Sequence, residues 1–501
     1  MRDNFLRPLA LCALAIGTAP AASQGIDAPA RVQIPASHAR IGFERIRFPG
    51  DGPRVGLVGT SYLIDVAGAS GFAVGPAVYG AVSGGHGGFF SLGGEVAWRR
   101  RLMGPVGVEL GLYAGGGGGG GGIAPQGSGL MLRPHVDLVW DLGDVAVGVS
   151  ISKVRLSGGR VDSNQLGLVL NANSDFRFVS AERLGEPTLG GGRAGLGFDR
   201  VQFIGGAYRT PAGKTLSDGS ALPRTISTVG IRAEHALGGN AFWGVEANRA
   251  GRGGVGGYAE YLGTLGVEGE AIRDVLTVGT RAAVGMAGGG GVSTGGGLIV
   301  KAGAYGIFRL GNDLGVSLEG GIARAPNGNF RAAQASLGLV WALDGPTSSG
   351  PAARPARTDF SAGVERFDAP RASGGGERSL SAIVLKLDRY LGANLYVTGR
   401  ASSALAGAAS GYAGAMVGAG WNQPLGAGWH LGGELLAGAA GGGGVDGRGL
   451  LVQPRVYAGV QLAPGIALRT GVARVKAFDG RLNSTVVDVS ADFTYGVAQG
   501  R

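Results

Sequence analysis

Residues able to carry chemistry are few and widely spaced in this 501-residue chain. The five histidines, His38, His86, His135, His235 and His430, show no spacing that sets two ligands on one metal ion, so no metal site and no cofactor is expected. Three of the candidates lie at alternate positions: Arg133, His135 and Asp137. In extended chain they share one face, where a histidine joins a hydrogen-bond network more readily than it forms half of a serine–histidine pair. The chain is therefore not expected to be an enzyme. Lys301, and Gln453 with Arg455, occupy comparable places further on. Adjacent opposite charges occur at Glu44-Arg45, Asp199-Arg200 and Glu365-Arg366, and neighbours in a strand point to opposite faces. Two readings stand for them: a repeated set of lumen carboxylates, or strand-end charges at a headgroup boundary. The glycine runs Gly115–Gly122, Gly288–Gly291 and Gly441–Gly444 are followed by no Gly-Lys-Ser/Thr, so they are not phosphate loops.

What must position these residues is β-structure. Each glycine run leads into a strand: Gly129 to Arg133, Gly297 to Lys301, Gly449 to Gln453. In the first of these, Leu130, Leu132, Val136, Leu138, Trp140 and Leu142 fall on one face, while Met131, Arg133, His135, Asp137 and Asp141 fall on the other. In the third, Leu450, Val452, Val456, Val460 and Leu462 oppose Gln453, Arg455, Tyr457 and Gln461. Such alternation is the mark of a strand with one apolar and one polar face. The motif Gly42-Phe43-Glu44-Arg45-Ile46 is echoed by Gly197-Phe198-Asp199-Arg200-Val201 and Gly363-Val364-Glu365-Arg366-Phe367. Two landmarks recurring in one order predict three copies: 39–180, 193–343 and 357–497. Turn signals such as Gly104-Pro105 and Gly143-Asp144 divide the first copy into eight strands, and the third copy also divides into eight. A Gly/Pro/Ser-rich linker is expected over 344–356.

Composition excludes other classes. Glycine contributes 104 residues and proline 21, yet mean hydropathy is +0.18, too apolar for a disordered chain. Net charge is +10, but only five of the basic residues are lysine and no basic tract occurs, so nucleic acid is not an expected partner. Arg2 and Arg7 flank an apolar core, Leu9 to Ile16, followed by Thr18-Ala19-Pro20-Ala21-Ala22-Ser23, the layout of a cleaved secretory signal peptide over 1–23. A short lead (24–38) precedes the first copy. The single cysteine, Cys12, lies within the signal, so the exported chain has no disulfide.

Signal peptide, even strand number, segments of about ten alternating residues and short turns opposite longer loops together resemble a Gram-negative outer-membrane β-barrel protein of porin-like architecture. The resemblance is to an architecture and spans the whole exported chain. It implies an all-β antiparallel transmembrane barrel in the outer membrane, with lipid and the barrel-assembly machinery as partners. The C-terminus departs from the pattern, because Gly496 to Arg501 trail beyond the aromatic strand face of Phe493 and Tyr495. Trp98, Trp140, Trp341, Trp421 and Tyr495 lie near predicted strand ends: an interfacial girdle, or ordinary core aromatics. The three copies are expected to join into one large barrel of about 24 strands; the alternative is three tandem eight-stranded barrels. In one large barrel Arg133, Lys301 and Arg455 would form a cationic ring. That predicts a channel or exporter preferring an anionic solute or polymer, against the alternative of a structural or adhesive surface barrel without transport.

Overall fold

The structure, a computed structural model, describes residues 32–48, 54–119, 129–157, 161–186, 197–311, 313–343, 355–372, 376–407 and 409–498. The expected signal peptide, Gly120 to Gly122 and most of the expected linker lie outside them.

The chain is antiparallel β throughout, apart from one short 3-10 turn. Barrel 1 comprises β1 (Ala36–Ile46), β2 (Val55–Asp65), β3 (Phe72–Ser83), β4 (Phe90–Met103), β5 (Val106–Gly118), β6 (Leu130–Asp141), β7 (Val145–Leu156) and β8 (Asp162–Asp175). A two-residue strand, β9 (Val179–Ser180), follows. Barrel 2 comprises β10 (Arg200–Arg209), β11 (Thr225–Gly238), β12 (Ala241–Arg252), β13 (Ala259–Ile272), β14 (Leu276–Gly288), β15 (Leu298–Arg309), β16 (Leu314–Arg324) and β17 (Arg331–Ala342). Barrel 3 comprises β18 (Pro355–Pro370), β19 (Glu377–Tyr390), β20 (Leu395–Ala406), β21 (Ala413–Gly426), β22 (Trp429–Gly441), β23 (Gly449–Ala463), β24 (Ile466–Ala477) and β25 (Asn483–Ala498).

The expectation of one large barrel is corrected. Each copy closes on itself: β1 pairs with β8, β10 with β17 and β18 with β25. The physical reason lies inside. Eight strands enclose a space just wide enough to be filled by side chains, and each copy supplies enough long charged and aromatic side chains to fill its own.

The polarity is inverted relative to a soluble core. Ile41, Leu110, Leu138, Val149, Ile151, Leu166 and Leu168 of barrel 1 point outward and are exposed, as are Leu265, Leu318 and Leu337 of barrel 2 and Leu435, Val456 and Val472 of barrel 3. Inward positions carry arginine, glutamate and aspartate in one half of each barrel and an apolar cluster, such as Leu57, Tyr79, Phe89 and Met131 of barrel 1, in the half from which the glycine-rich loops emerge. An apolar exterior around a paired backbone is what hydrocarbon tolerates.

The two ends of the barrels differ. One end carries tight turns, among them Gly104-Pro105, Gly143-Asp144 and Pro464-Gly465. All six tryptophans (Trp98, Trp140, Trp243, Trp341, Trp421, Trp429) lie in the half of their strands nearer this end. Of the five aromatics that sequence offers either for a girdle or for the core, the four tryptophans are thus gathered at one end. Tyr495 is different: its ring packs edge-on against Phe176 and Phe178, 5.6 and 6.2 Å away, where β9 adds to β25.

The other end holds the glycine-rich connections, and there the barrels meet. The β3–β4 loop of barrel 1 packs against the glycine run of barrel 2, the β12–β13 loop of barrel 2 against the run of barrel 3, and the β20–β21 loop of barrel 3 against the run of barrel 1. A Cβ on Gly88 would stand 2.2 Å from Gly289 N, one on Gly441 2.5 Å from Gly257 N, and one on Gly411 2.6 Å from Gly119 N. Backbone therefore meets backbone directly: Gly87 N–H donates to Gly295 O at 3.0 Å and Gly411 N–H to Gly117 O at 3.2 Å. Three head-to-tail contacts of one kind close a pseudo-threefold ring. The runs are junctions, not the free loops that composition alone suggests.

This arrangement puts the described part of every glycine run at one end of the barrels. Single cysteines at Arg54, Asn327 and Asp479, exposed at the junction end, are expected to react together with an impermeant maleimide. Cysteines at Asp144, Asp313 and Pro464, exposed at the turn end, should share the opposite behaviour. Mixed labelling within either set contradicts the common orientation.

Candidate functional site: three filled lumens

Arg133, His135 and Asp137 of β6 are buried inside barrel 1. Arg133 donates from Nε and Nη2 to the two oxygens of Glu44, both at 2.9 Å, and Ser152 Oγ donates to the same carboxylate at 2.6 Å. Arg40 Nε donates to Asp137 Oδ2 at 2.8 Å. Tyr79 hydroxyl links Arg133 to Glu95, at 3.3 and 3.1 Å. Strand alternation explains the convergence, since β1, β3, β4, β6 and β7 each send every second side chain inward.

Lys301 is buried in barrel 2 between Glu246 (3.0 Å) and Glu260 (2.6 Å). Arg232 bridges Glu246 and Glu319 at 2.6 and 3.0 Å, and Arg281 bridges Glu234 and Glu319 at 2.8 and 2.7 Å. A cavity of about 20 Å³ among Tyr208, Arg232, Glu246, Lys301 and Glu319 is scarcely room for one water. In barrel 3, Arg455 pairs with Asp488 at 2.6 Å and Glu434 at 3.2 Å. Gln453 is buried nearby with its Nε2 unpartnered. Arg469 reaches Asp388 and Asp492 at 3.1 and 2.7 Å and lies 4.4 Å over the Tyr457 ring. Lys386 contacts Asp388 at 3.0 Å and also Glu434.

The expected cationic ring is corrected. Arg133, Lys301 and Arg455 lie in three different lumens, each held by carboxylates, so they share no wall and add no field.

The three charge pairs do not behave alike. Glu44 and Glu365 turn inward, Glu365 onto Arg400, while Arg45 is exposed and Arg366 donates to Ser379 Oγ on the outside at 2.8 Å. Glu44 and Glu365 thus each face a separate lumen. In the second pair it is Arg200 that turns inward, onto Glu234 and Glu268, while Asp199 Oδ2 accepts from Ala236 N–H at 2.5 Å. That pair opens β10 at the turn end, whereas Glu44 and Glu365 lie toward the junction end, so the second echo of the motif is not an equivalent position.

Lumen residues beyond those the alternation picked out, among them Arg40, Glu95, Glu109, Glu319 and Glu434, share one signal: an ionisable side chain in phase with glycines along an alternating strand. A shallow cavity of about 710 Å³ lies on barrel 2, where Thr280, Ala304 and Gly320 leave a dent between Val267, Val278 and Leu318.

Closed antiparallel barrels with an apolar belt outside and charge inside define the outer-membrane β-barrel class. No protein-family model matches the chain, and no curated protein matches it. Among solved structures, it is similar to the ferric enterobactin receptor PfeA of Pseudomonas aeruginosa at 8% identity and TM-score 0.29, covering 93% of this chain and 81% of that one. The siderophore receptor PirA of Acinetobacter baumannii gives the same values. Pseudomonas aeruginosa OpdQ aligns at 8% identity and TM-score 0.22, covering 93% and 98%. Likeness at that level bears neither on topology nor on activity; the class rests on the strands themselves.

Proposed function

We propose that the chain is an outer-membrane protein that sets three solid β-barrels side by side in the lipid, with the glycine-rich junctions facing the exterior and the tight turns facing the periplasm. One observation carries this reading: in all three barrels exposed leucine, isoleucine and valine surround a lumen of paired charges. Short turns on the periplasmic side are the rule for such barrels, and the tryptophan belt beside them suits that interface. The barrel-assembly machinery is the partner the class requires.

Of the two functions expected from sequence, the filled lumens favour a membrane-embedded scaffold. An open porin wall needs a water-filled interior, and buried pairs such as Lys301–Glu260 and Arg455–Asp488 cross that space. The apolar clusters in the half of each barrel nearer the junctions weigh further against the second reading, a channel with anion preference.

Planar-bilayer recording separates them. Purified protein is expected to insert without the steady, stepwise conductance of an open pore. Regular steps with an anion-selective reversal potential would instead establish the channel.

A further inference from the structure

Among the described residues, one group is arranged to hold a metal ion: Glu95 on β4, Glu109 on β5 and His135 on β6, with donor atoms all within 4.8 Å of one another. All three are buried, and their free atoms face each other. His135 Nε2 lies 3.5 Å from Glu95 Oε1, 3.9 Å from Glu109 Oε1 and 3.7 Å from Asp137 Oδ2. None of these contacts is a formed hydrogen bond: Nδ1 and Nε2 of His135, Oε1 of Glu95, Oε1 of Glu109 and Oδ1 of Asp137 are all buried without a partner. Donors bound to one first-row ion at about 2.0–2.2 Å stand roughly 3–4 Å apart, and both distances from His135 Nε2 to the glutamates fall in that range.

Charge points the same way. The lumen of barrel 1 is lined by Glu44, Asp65, Glu95, Glu109 and Asp137, against only Arg40, Arg99 and Arg133. Arg99 is committed to both oxygens of Asp65 at 2.8 Å, and Arg133 to Glu44. Arg40 remains to serve Glu95, Glu109 and Asp137, leaving two negative charges that no arginine or lysine offsets, beside the imidazoles of His38 and His135. Barrel 2 lacks one positive charge by the same count (Arg200, Arg232, Arg281 and Lys301 against five glutamates), and so does barrel 3. Water supplies hydrogen bonds but no charge, and leaving a carboxylate pair bare in such a space is costly.

Gly111 completes the cradle. A Cβ there would stand 2.1 Å from His135 Cε1, so the glycine makes room for the imidazole beside the carboxylates. His38 Nε2, 3.1 Å from Glu109 Oε2, adds a second imidazole within reach.

We infer that barrel 1 binds one divalent first-row transition-metal ion through Glu95, Glu109 and His135, which neutralises its lumen. Mixed imidazole and carboxylate donors suit zinc, iron or manganese, and zinc serves as the probe. Protein refolded in detergent with Zn²⁺ and then stripped of loose metal on chelating resin is expected to retain about one ion per chain. The double variant Glu95→Gln/His135→Gln, checked for the heat-modifiable gel shift of a closed barrel, should retain less than about a tenth of that. Wild type that retains no zinc overturns the inference, and so does a folded double variant that retains as much. Should that variant not fold, X-ray absorption on zinc-loaded wild type decides: imidazole together with oxygen ligands is expected, and an oxygen-only shell refutes the site.

Discussion

Replacing the junction glycines Gly88, Gly257 and Gly411 together with valine is expected to separate the three barrels while leaving each one closed. All three have φ between +89° and +97°, where a branched side chain costs about 1–2 kcal/mol from backbone strain alone. The larger effect is steric. A Cβ at these positions lies 2.2, 2.9 and 2.6 Å from the facing backbone, and the partner there is main chain, which has no rotamer to yield. With spin labels on cysteines at Arg54 of barrel 1 and Asn327 of barrel 2, electron resonance should give one narrow distance in wild type. In the triple variant the distribution should broaden, with the heat-modifiable gel shift preserved. A distribution that stays narrow would show that something other than these junctions orients the barrels.

The second large effect is expected from Glu434→Leu. Its carboxylate receives Tyr396 hydroxyl at 2.7 Å, contacts Lys386 and lies 3.2 Å from Arg455. Removing one charge of a buried cluster strands the others, at about 3–5 kcal/mol. The exposed pair Arg101–Asp141, at 3.3 Å with side chains 71% and 38% exposed, provides the contrast: Asp141→Leu should cost less than about 1 kcal/mol. Urea unfolding in lipid vesicles measures both. Equal midpoints for the two variants would mean that lumen charges are solvated and that the barrels are not filled. Tyr457→Arg falls on the costly side as well, because Tyr457 packs into the space left by Gly432 and an arginine there would join Lys386, Arg455 and Arg469.

Much of this was legible in the sequence because a strand's faces are decided locally. Alternation assigned Arg133, His135 and Asp137 to one side and Val136 and Leu138 to the other, and that is where they stand. Closure was not legible. Whether β8 returns to β1 or passes on to the next copy depends on register between segments more than 100 residues apart, on which alternation is silent. The metal cluster was hidden for the same reason: Glu95, Glu109 and His135 come from three strands and meet only across the sheet. The junctions did leave a trace. Gly88-Phe89, Gly257-Tyr258 and Gly411-Tyr412 recur in step, each aromatic amide donating to the carbonyl three residues earlier at 3.1, 3.0 and 2.8 Å.

The ring of junctions has a bearing on how such a protein diversifies. In a trimer of identical chains any substitution appears three times, so a histidine placed in one lumen is placed in all. Three copies on one chain assemble at a local concentration set by their connections and independent of expression level. They are also free to differ. Barrel 1 buries His38 and His135 among its carboxylates, whereas the inward histidine of barrel 3, His430, is only partly buried and lies against Tyr457, and the buried charged positions of barrel 2 hold no histidine. Fusion gives up exchangeable subunits and gains individuality: one lumen is able to acquire a new chemistry while its two neighbours go on supplying the architecture.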